Sequence, residues 1–456
     1  MVNPPAFVEP PVRIEPPAVV APIAVAPPPA APASAPQPPP MVPPVVRTDP
    51  EASSVVAAPP PPAQAPAPVA SEEPPEKAAT PPPAVSASPP VAAAAVETGI
   101  RATIIERLRA GVPAPLHGLA VAGADLSGLD MRGANLSGHD LGGAKLCKTN
   151  LTGARLGGAR LVDAELEEAD LSNADLAGAD LTRATLTKTR MSGANIDNTN
   201  FTAAHGDGAI FDGSKGRATL FVRGQWLGAS FRSIDVLSAD FTGAALDGAI
   251  LERAVIPDAK LNDARGKGAN FDGARIDQVH ADGAALVECT FRNVDAKGSI
   301  WENATLDGSS FDEARMENAV FVRTSCRATK FVNANLRGAN FGKAQGDGAD
   351  LGGANLDSAD FRQARFCDAR FEGAKLPNLL APRADLARAN FSHADLSNGS
   401  LRAAQLGGAN LAHACLDGAD LRDADLKRSV LFKASRTGAK LSGANTKDAI
   451  ENDPNG

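Results

Sequence analysis

The chain has 456 residues, with 45 Lys and Arg against 53 Asp and Glu and a formal net charge of −8. A balance this mild excludes the basic face that nucleic-acid binding needs, and no stretch is long and apolar enough to span a bilayer. The opening MVNPPAFVEP has no basic region followed by an apolar run, so no signal peptide is expected.

Residues 1–95 hold 31 of the 37 prolines, with mostly Ala, Val and Ser between them; PPPAAPASAPQPPP (27–40) is typical. Such a segment has few bulky side chains to bury, and proline removes backbone donors. The expectation is a disordered tether, locally polyproline II, or a docking segment for a proline-binding module. Residues 1–100 carry three Lys/Arg and eight Asp/Glu, which leaves 42 basic and 45 acidic residues in 101–456 and a net charge of −3 there.

TGIRATIIERLRAG (98–111) reads as a helix. Ile100, Ile104, Ile105 and Leu108 recur at helical spacing, with Thr98 as a possible N-cap and Gly111 as a stop. From 116 to about 450 a different period takes over. The stretch ADLSNADLAGADL (169–181) repeats a five-residue word, and five matches neither a helix nor a strand. Stepping by five from Leu126 to Thr446 meets 65 positions with no slip of frame, and 55 of them are Leu, Ile, Val, Met, Phe or Trp. The exceptions are Gly206, Gly216, Gly266, Ala281, Ala296, Cys326, Gly346, Ala381, Arg436 and Thr446.

A small residue, usually Ala, stands two before each central position, with a polar residue between them. Ala and Leu two apart share one side of a short extended segment, and the polar residue points out. The chain must then turn, or the next leucine would face water. The last two positions of each unit do the turning, where Gly, Asn and Asp tolerate the angles. Each unit is one wall and one corner, and repeated corners of one hand make a coil with the leucines on its axis.

With ADLSG (124–128), ANLSG (134–138), ADLAG (174–178), ANLRG (334–338) and ADLRD (419–423), the chain resembles the pentapeptide-repeat family and its A(D/N)LXX pattern. The resemblance implies an all-β solenoid: a right-handed four-sided β-helix with four units per coil. About 16 coils would give a rod on the order of 75–80 Å. The division expected is a Pro/Ala-rich tether at 1–95, a helix and lead-in at 96–115 capping the open core, the β-helix at 116–450 and a frayed tail at 451–456.

Fourteen of the fifteen central phenylalanines stand at numbers ending in 1, and only Phe366 does not. Phe therefore lines two opposite walls, and smaller residues fill the other two. The core is expected to include Leu126, Leu136, Leu171, Leu176, Leu181, Phe211, Phe231, Phe271, Phe291, Phe311, Phe331, Phe371 and Phe391. It also includes Trp226 and Trp301, each of which follows a small central residue (Gly206, Ala281) by 20 positions. Gly206, Gly266 and Gly346 share one wall and are expected to thin it, either as softer coils or as close backbone approaches, unless they compensate for nearby rings. Pro257, Pro377 and Pro382 fall in turning positions, where a missing donor costs least.

The search for chemistry is mostly negative. There is no phosphate-binding loop, no HExxH, no GxSxG and no Cys/His cluster with metal spacing, so no catalytic residue, cofactor or metal is assigned. His393 and His413 lie 20 apart and should stack near 5 Å, a weak candidate pair for a metal with no third ligand evident. The carboxylates before the central leucines read as a solvated face. The five cysteines (147, 289, 326, 367, 415) lack paired spacing, and reduced thiols are the simplest expectation. Cys147 and Cys367, on one wall, are expected to be exposed.

The function expected is a non-catalytic protein–protein interaction scaffold, cytoplasmic, with no nucleic acid, no membrane span and a protein as partner. The resemblance also links such rods to type VI secretion machinery. Two alternatives stand beside it: a DNA mimic acting on a type II topoisomerase, which resemblance to the quinolone-resistance branch of the family implies, and a secreted effector.

Overall fold

In the computed structural model the described residues are 99–107 and 119–452. The tether at 1–95, Thr98, Leu108, Gly111 and the last four residues of the tail lie outside them. Helix α1 occupies 99–107. From Val121 onward the chain repeats a two-residue turn and one bridge residue in every five.

Twenty residues carry the backbone once round. Parallel bridges join Asp125 to Lys145, Asp130 to Asn150, Asn135 to Arg155 and Asp140 to Arg160, and the same 20-residue step continues to Val430 with Ile450. Four faces result. The first has its interior column at Leu126 and Leu146, the second at Met131 and Leu151, the third at Leu136 and Leu156, and the fourth at Leu141 and Leu161. Among the described residues, pairing widens into strands only on the third face, where β1 (Lys215–Arg217) pairs in parallel with β2 (Asp235–Leu237).

The corners follow from the backbone's donors. In the unit centred on Leu126, the Leu126 N–H donates to Lys145 C=O (2.7 Å), Gly128 to Cys147 C=O (2.9 Å) and, one coil on, Lys145 to Ala124 C=O (3.0 Å). The Ala124 N–H closes a turn on Val121 C=O, and the third residue of each turn has φ near +60°, as at Gly123, Asn173 and Arg183. One donor per unit has no partner in this scheme: the N–H directly after the central residue. An outward Asp or Asn two residues earlier takes it in many units, as Asp170 Oδ1 does for Ser172 N–H (2.9 Å). Elsewhere a corner Asp of the preceding coil takes it, as Asp247 does for Lys267 N–H (2.8 Å). Pro257, Pro377 and Pro382 occupy this same position and simply lack the donor.

The interior is apolar and rich in aromatic rings. Leu126, Leu136, Leu171, Leu176, Leu181, Phe271, Phe291, Phe311, Phe331, Phe371, Phe391, Trp226 and Trp301 are at most 1% exposed. Phe211 lies over Phe231 with ring centres 4.9 Å apart and planes 10° from parallel, while Phe271, Phe291 and Phe311 continue a stack at 4.6 and 4.5 Å. Rings on the opposite wall meet these edge-on, as Phe221 meets Phe231 at 5.5 Å.

Gly206 and Gly346 do not thin their wall. A methyl group at Gly206 would overlap the Trp226 ring, and one at Gly346 the Phe366 ring, so each glycine is the space its neighbour's ring occupies. Gly266 is hemmed by Leu246 and Leu286, 3.2 and 3.1 Å from where a Cβ would stand. The shallow place is Gly216 on the third face. It is half-buried where its column is otherwise closed from Leu136 to Leu416, and a Cβ there would meet the Ile196 backbone at 2.9 Å.

The two ends of the described coils are finished differently. At the first, α1 packs Ile104 fully out of water, and Arg101 donates to the carbonyls of Asp125 and Ser127, both at 2.8 Å. These are the carbonyls that an earlier coil would otherwise engage. In the coil 431–450, two of the four interior positions are Arg436 and Thr446, and Arg436 pairs with Glu451 at 2.8 Å. Inward charge in an outermost coil disfavours sheet extension.

Two outcomes test this packing. Trp226→Ala should destabilise by about 3–5 kcal/mol, and Gly206→Leu by about 1–3 kcal/mol, while Gly206→Leu with Trp226→Leu recovers most of the loss; thermal melts of the three variants decide it. Asp170→Ala should speed amide exchange at Ser172 by about fivefold, the equivalent of one hydrogen bond of about 1 kcal/mol, whereas Asp170→Asn should leave it near wild type.

Candidate interaction surface

Because the outward residues repeat every 20, each face shows a column of side chains one coil apart. Charge along these columns is matched. In none of the four bridge columns between Asp125 and Ile450 does an acid stand on an acid of the next coil. Instead Asp140 faces Arg160 (3.0 Å), Asp295 faces Arg315 (2.9 Å) and Asp240 faces Lys260 (3.6 Å). Corners do the same: Arg183 forks Asp163 with two bonds of 2.7 Å, and Arg388 forks Asp368 at 2.7 and 2.6 Å. The guanidinium donors hold Asp163 and Asp368 below the ordinary carboxylate value, and Arg422 holds Asp420 down to about 2. Amides extend the ladders, as Asn200 donates to Asp180 and Asn410 to Asn390. The outward Asp and Asn therefore do more than face solvent: they close corners and clamp coils. Their recurrence at one place in the unit is the sequence signal for that role.

His393 and His413 stack with centres 4.8 Å apart and planes 8° from parallel, and His413 meets Phe432 edge-on at 5.5 Å beneath Lys433. The pair forms an aromatic ladder on a corner, and among the described residues there is no group of three or more His, Cys, Asp or Glu that could hold a metal.

Cys367 corrects an expectation. It is 4% exposed, and burial first, then the Asp385 carboxylate, pushes its thiol up to about 11. Burial likewise pushes Cys289 up to about 12 and raises Cys326. Cys367 lies against the Asp385 side chain and is buried, whereas Cys147 on the same wall is only half-buried.

A model of the pentapeptide repeats matches in eight copies, over residues 124–163, 164–202, 284–321, 347–378, 384–423 and 416–445. The chain is a pentapeptide-repeat protein. Among solved structures it is similar to HetL of Nostoc sp. strain PCC 7120, a pentapeptide-repeat protein involved in heterocyst differentiation regulation. The two are 27% identical over 48% of this chain and 91% of that one, with a TM-score of 0.23. It is similar to Rfr23 of Cyanothece 51142, 32% identical over 20% of this chain and 63% of that one, TM-score 0.20. It is also similar to QnrB1, a plasmid-mediated fluoroquinolone resistance protein, 18% identical over 39% and 90%, TM-score 0.24. No curated protein matches the chain in sequence. No helix among the described residues of this pentapeptide-repeat protein is long and apolar enough to cross a membrane.

Thiol labelling of the native protein at pH 8 should modify Cys147 and Cys415 first. Cys289, Cys326 and Cys367 should resist until the coils are denatured, because their closed packing keeps the reagent from the sulfur. Rapid labelling of Cys367, read by peptide mass mapping, would contradict the packing described.

Proposed function

We propose that this pentapeptide-repeat chain is a non-catalytic protein–protein interaction scaffold. One observation carries the reading: the 20-residue register runs from Asp125 to Ile450 without an inserted loop, so every outward side chain belongs to a straight column. Such columns present a repeated pattern to an extended partner surface, the use to which solenoid faces are suited. Catalysis asks instead for a concave site where titratable groups converge away from water. The depressions on this surface are shallow and open, and are lined by side chains of both signs rather than by converging titratable groups. The matched signs also weigh against a DNA mimic, which calls for a continuous acidic stripe. Association with secretion machinery is one setting for such a scaffold, and it rests on the family resemblance.

Affinity purification with the full chain, and with a form lacking residues 1–95, tests the reading. The full chain should hold a protein partner at fixed stoichiometry, and the shortened form should hold the same partner if the rod is the recruiting part. Absence of any saturable protein partner would overturn the scaffold reading, and a partner lost with residues 1–95 would move recruitment from the rod to that segment.

A further inference from the structure

The corner between the fourth and first faces changes character over residues 322–403. In five successive coils it carries Arg323, Lys343, Arg362, Arg383 and Arg402, and its other residues are Val322, Gly342, Gln363, Pro382 and Ala403. At every other corner among the described residues, a coil with a cation and no acid is followed by one that breaks the pattern. The five cations span four coil steps, about 19 Å.

Their partners are unequal. Arg323 turns back to Glu302 and Asn303, Arg362 forks Asp360 (2.8 Å), and Arg402 reaches Asp423 at 3.4 Å. Lys343 and Arg383 have no ion pair or hydrogen bond from their side chains among the described residues. Two open depressions adjoin them. One lies at Gly342 beside Lys343, Arg362 and Asp360, whose charge Arg362 takes up, and the other lies at Pro382 and Ala403 beside Arg383, Arg402 and Asp423, which Arg402 faces. Leu380, the outward residue of the fourth face just before this corner, is 44% exposed and bridges Asp360 and Ser400. The corner thus combines two uncompensated cations, two notches made by small residues and an exposed apolar side chain.

We propose that this corner docks a short, extended, acidic segment of a partner protein carrying one apolar side chain. The inference rests on the scaffold reading and names the chemistry of the partner. An extended segment of about six residues spans about 19 Å, the length of the strip. Its carboxylates meet Lys343 and Arg383, and its apolar residue covers Leu380 and Pro382. A nucleic acid fits less well. Phosphodiesters leave the leucine unused, and a longer polyanion runs onto Asp420 and Asp423, where the strip ends.

The test uses the full chain and a fluorescein-labelled hexapeptide of Asp and Glu with one central Leu, read by fluorescence anisotropy at low salt. Wild type should bind it, and Lys343→Glu with Arg383→Glu should weaken binding by about tenfold or more. Lys330→Glu, on the second face, should leave binding unchanged, and replacing the peptide's Leu by Ser should weaken it. Circular dichroism melts confirm that each variant is folded. Equal binding by the double variant, or a thymidine oligonucleotide binding more tightly than the peptide, would overturn the proposal. The two readings separate in affinity purification: an unchanged partner on the double variant sinks the corner and spares the scaffold, whereas no partner on wild type sinks the scaffold.

Discussion

The hydrogen bonds between successive coils set everything else in this molecule. Each unit of five residues offers its neighbour three donors at fixed places, and the bonds close only when residue i lies beside residue i+20. That one condition makes interior columns of like position, so a side chain's size is judged against the residue 20 before and 20 after it. Trp226 against Gly206 and Phe366 against Gly346 are two solutions of the same volume problem. The donor left over in each unit explains the outward Asp and Asn, the corner Asp of the preceding coil and the three prolines together.

Much of this was legible in the sequence because the frame never slips. A period of five with a small residue two before each hydrophobe dictates walls and corners, and the spacing of phenylalanines and tryptophans dictates a 20-residue turn. The stack of His393 on His413 follows from the same arithmetic. What was not legible depends on which way a corner side chain turns. Cys367 and Cys147 hold the same place in the repeat, yet one is covered and the other half-open. Gly206 and Gly346 looked like weak points because their neighbours' rings were weighed by wall rather than by coil. Gly216 has no such ring beside it and is half-buried, a distinction the word-by-word pattern does not display.

On the outside, the columns work against function as much as for it. Ladders of Asp with Arg or Lys satisfy much of the surface internally, and exposed pairs of this kind contribute little to stability. A surface so balanced is conspicuous where it fails to balance. Lys343, Arg383 and the exposed Leu380 occupy such a place, over the core between the Phe321–Phe341 stack and the Phe371–Phe391 stack.

The unslipped register also makes the rod a kind of vernier. Loss or gain of a whole coil changes its length by one step and leaves every face pointing where it did. Loss or gain of a single five-residue word turns everything downstream by a quarter revolution, so that a column beginning on one side finishes on another. Sequence change in this protein is therefore quantised: drift in units of 20 edits reach, and drift in units of five edits aim.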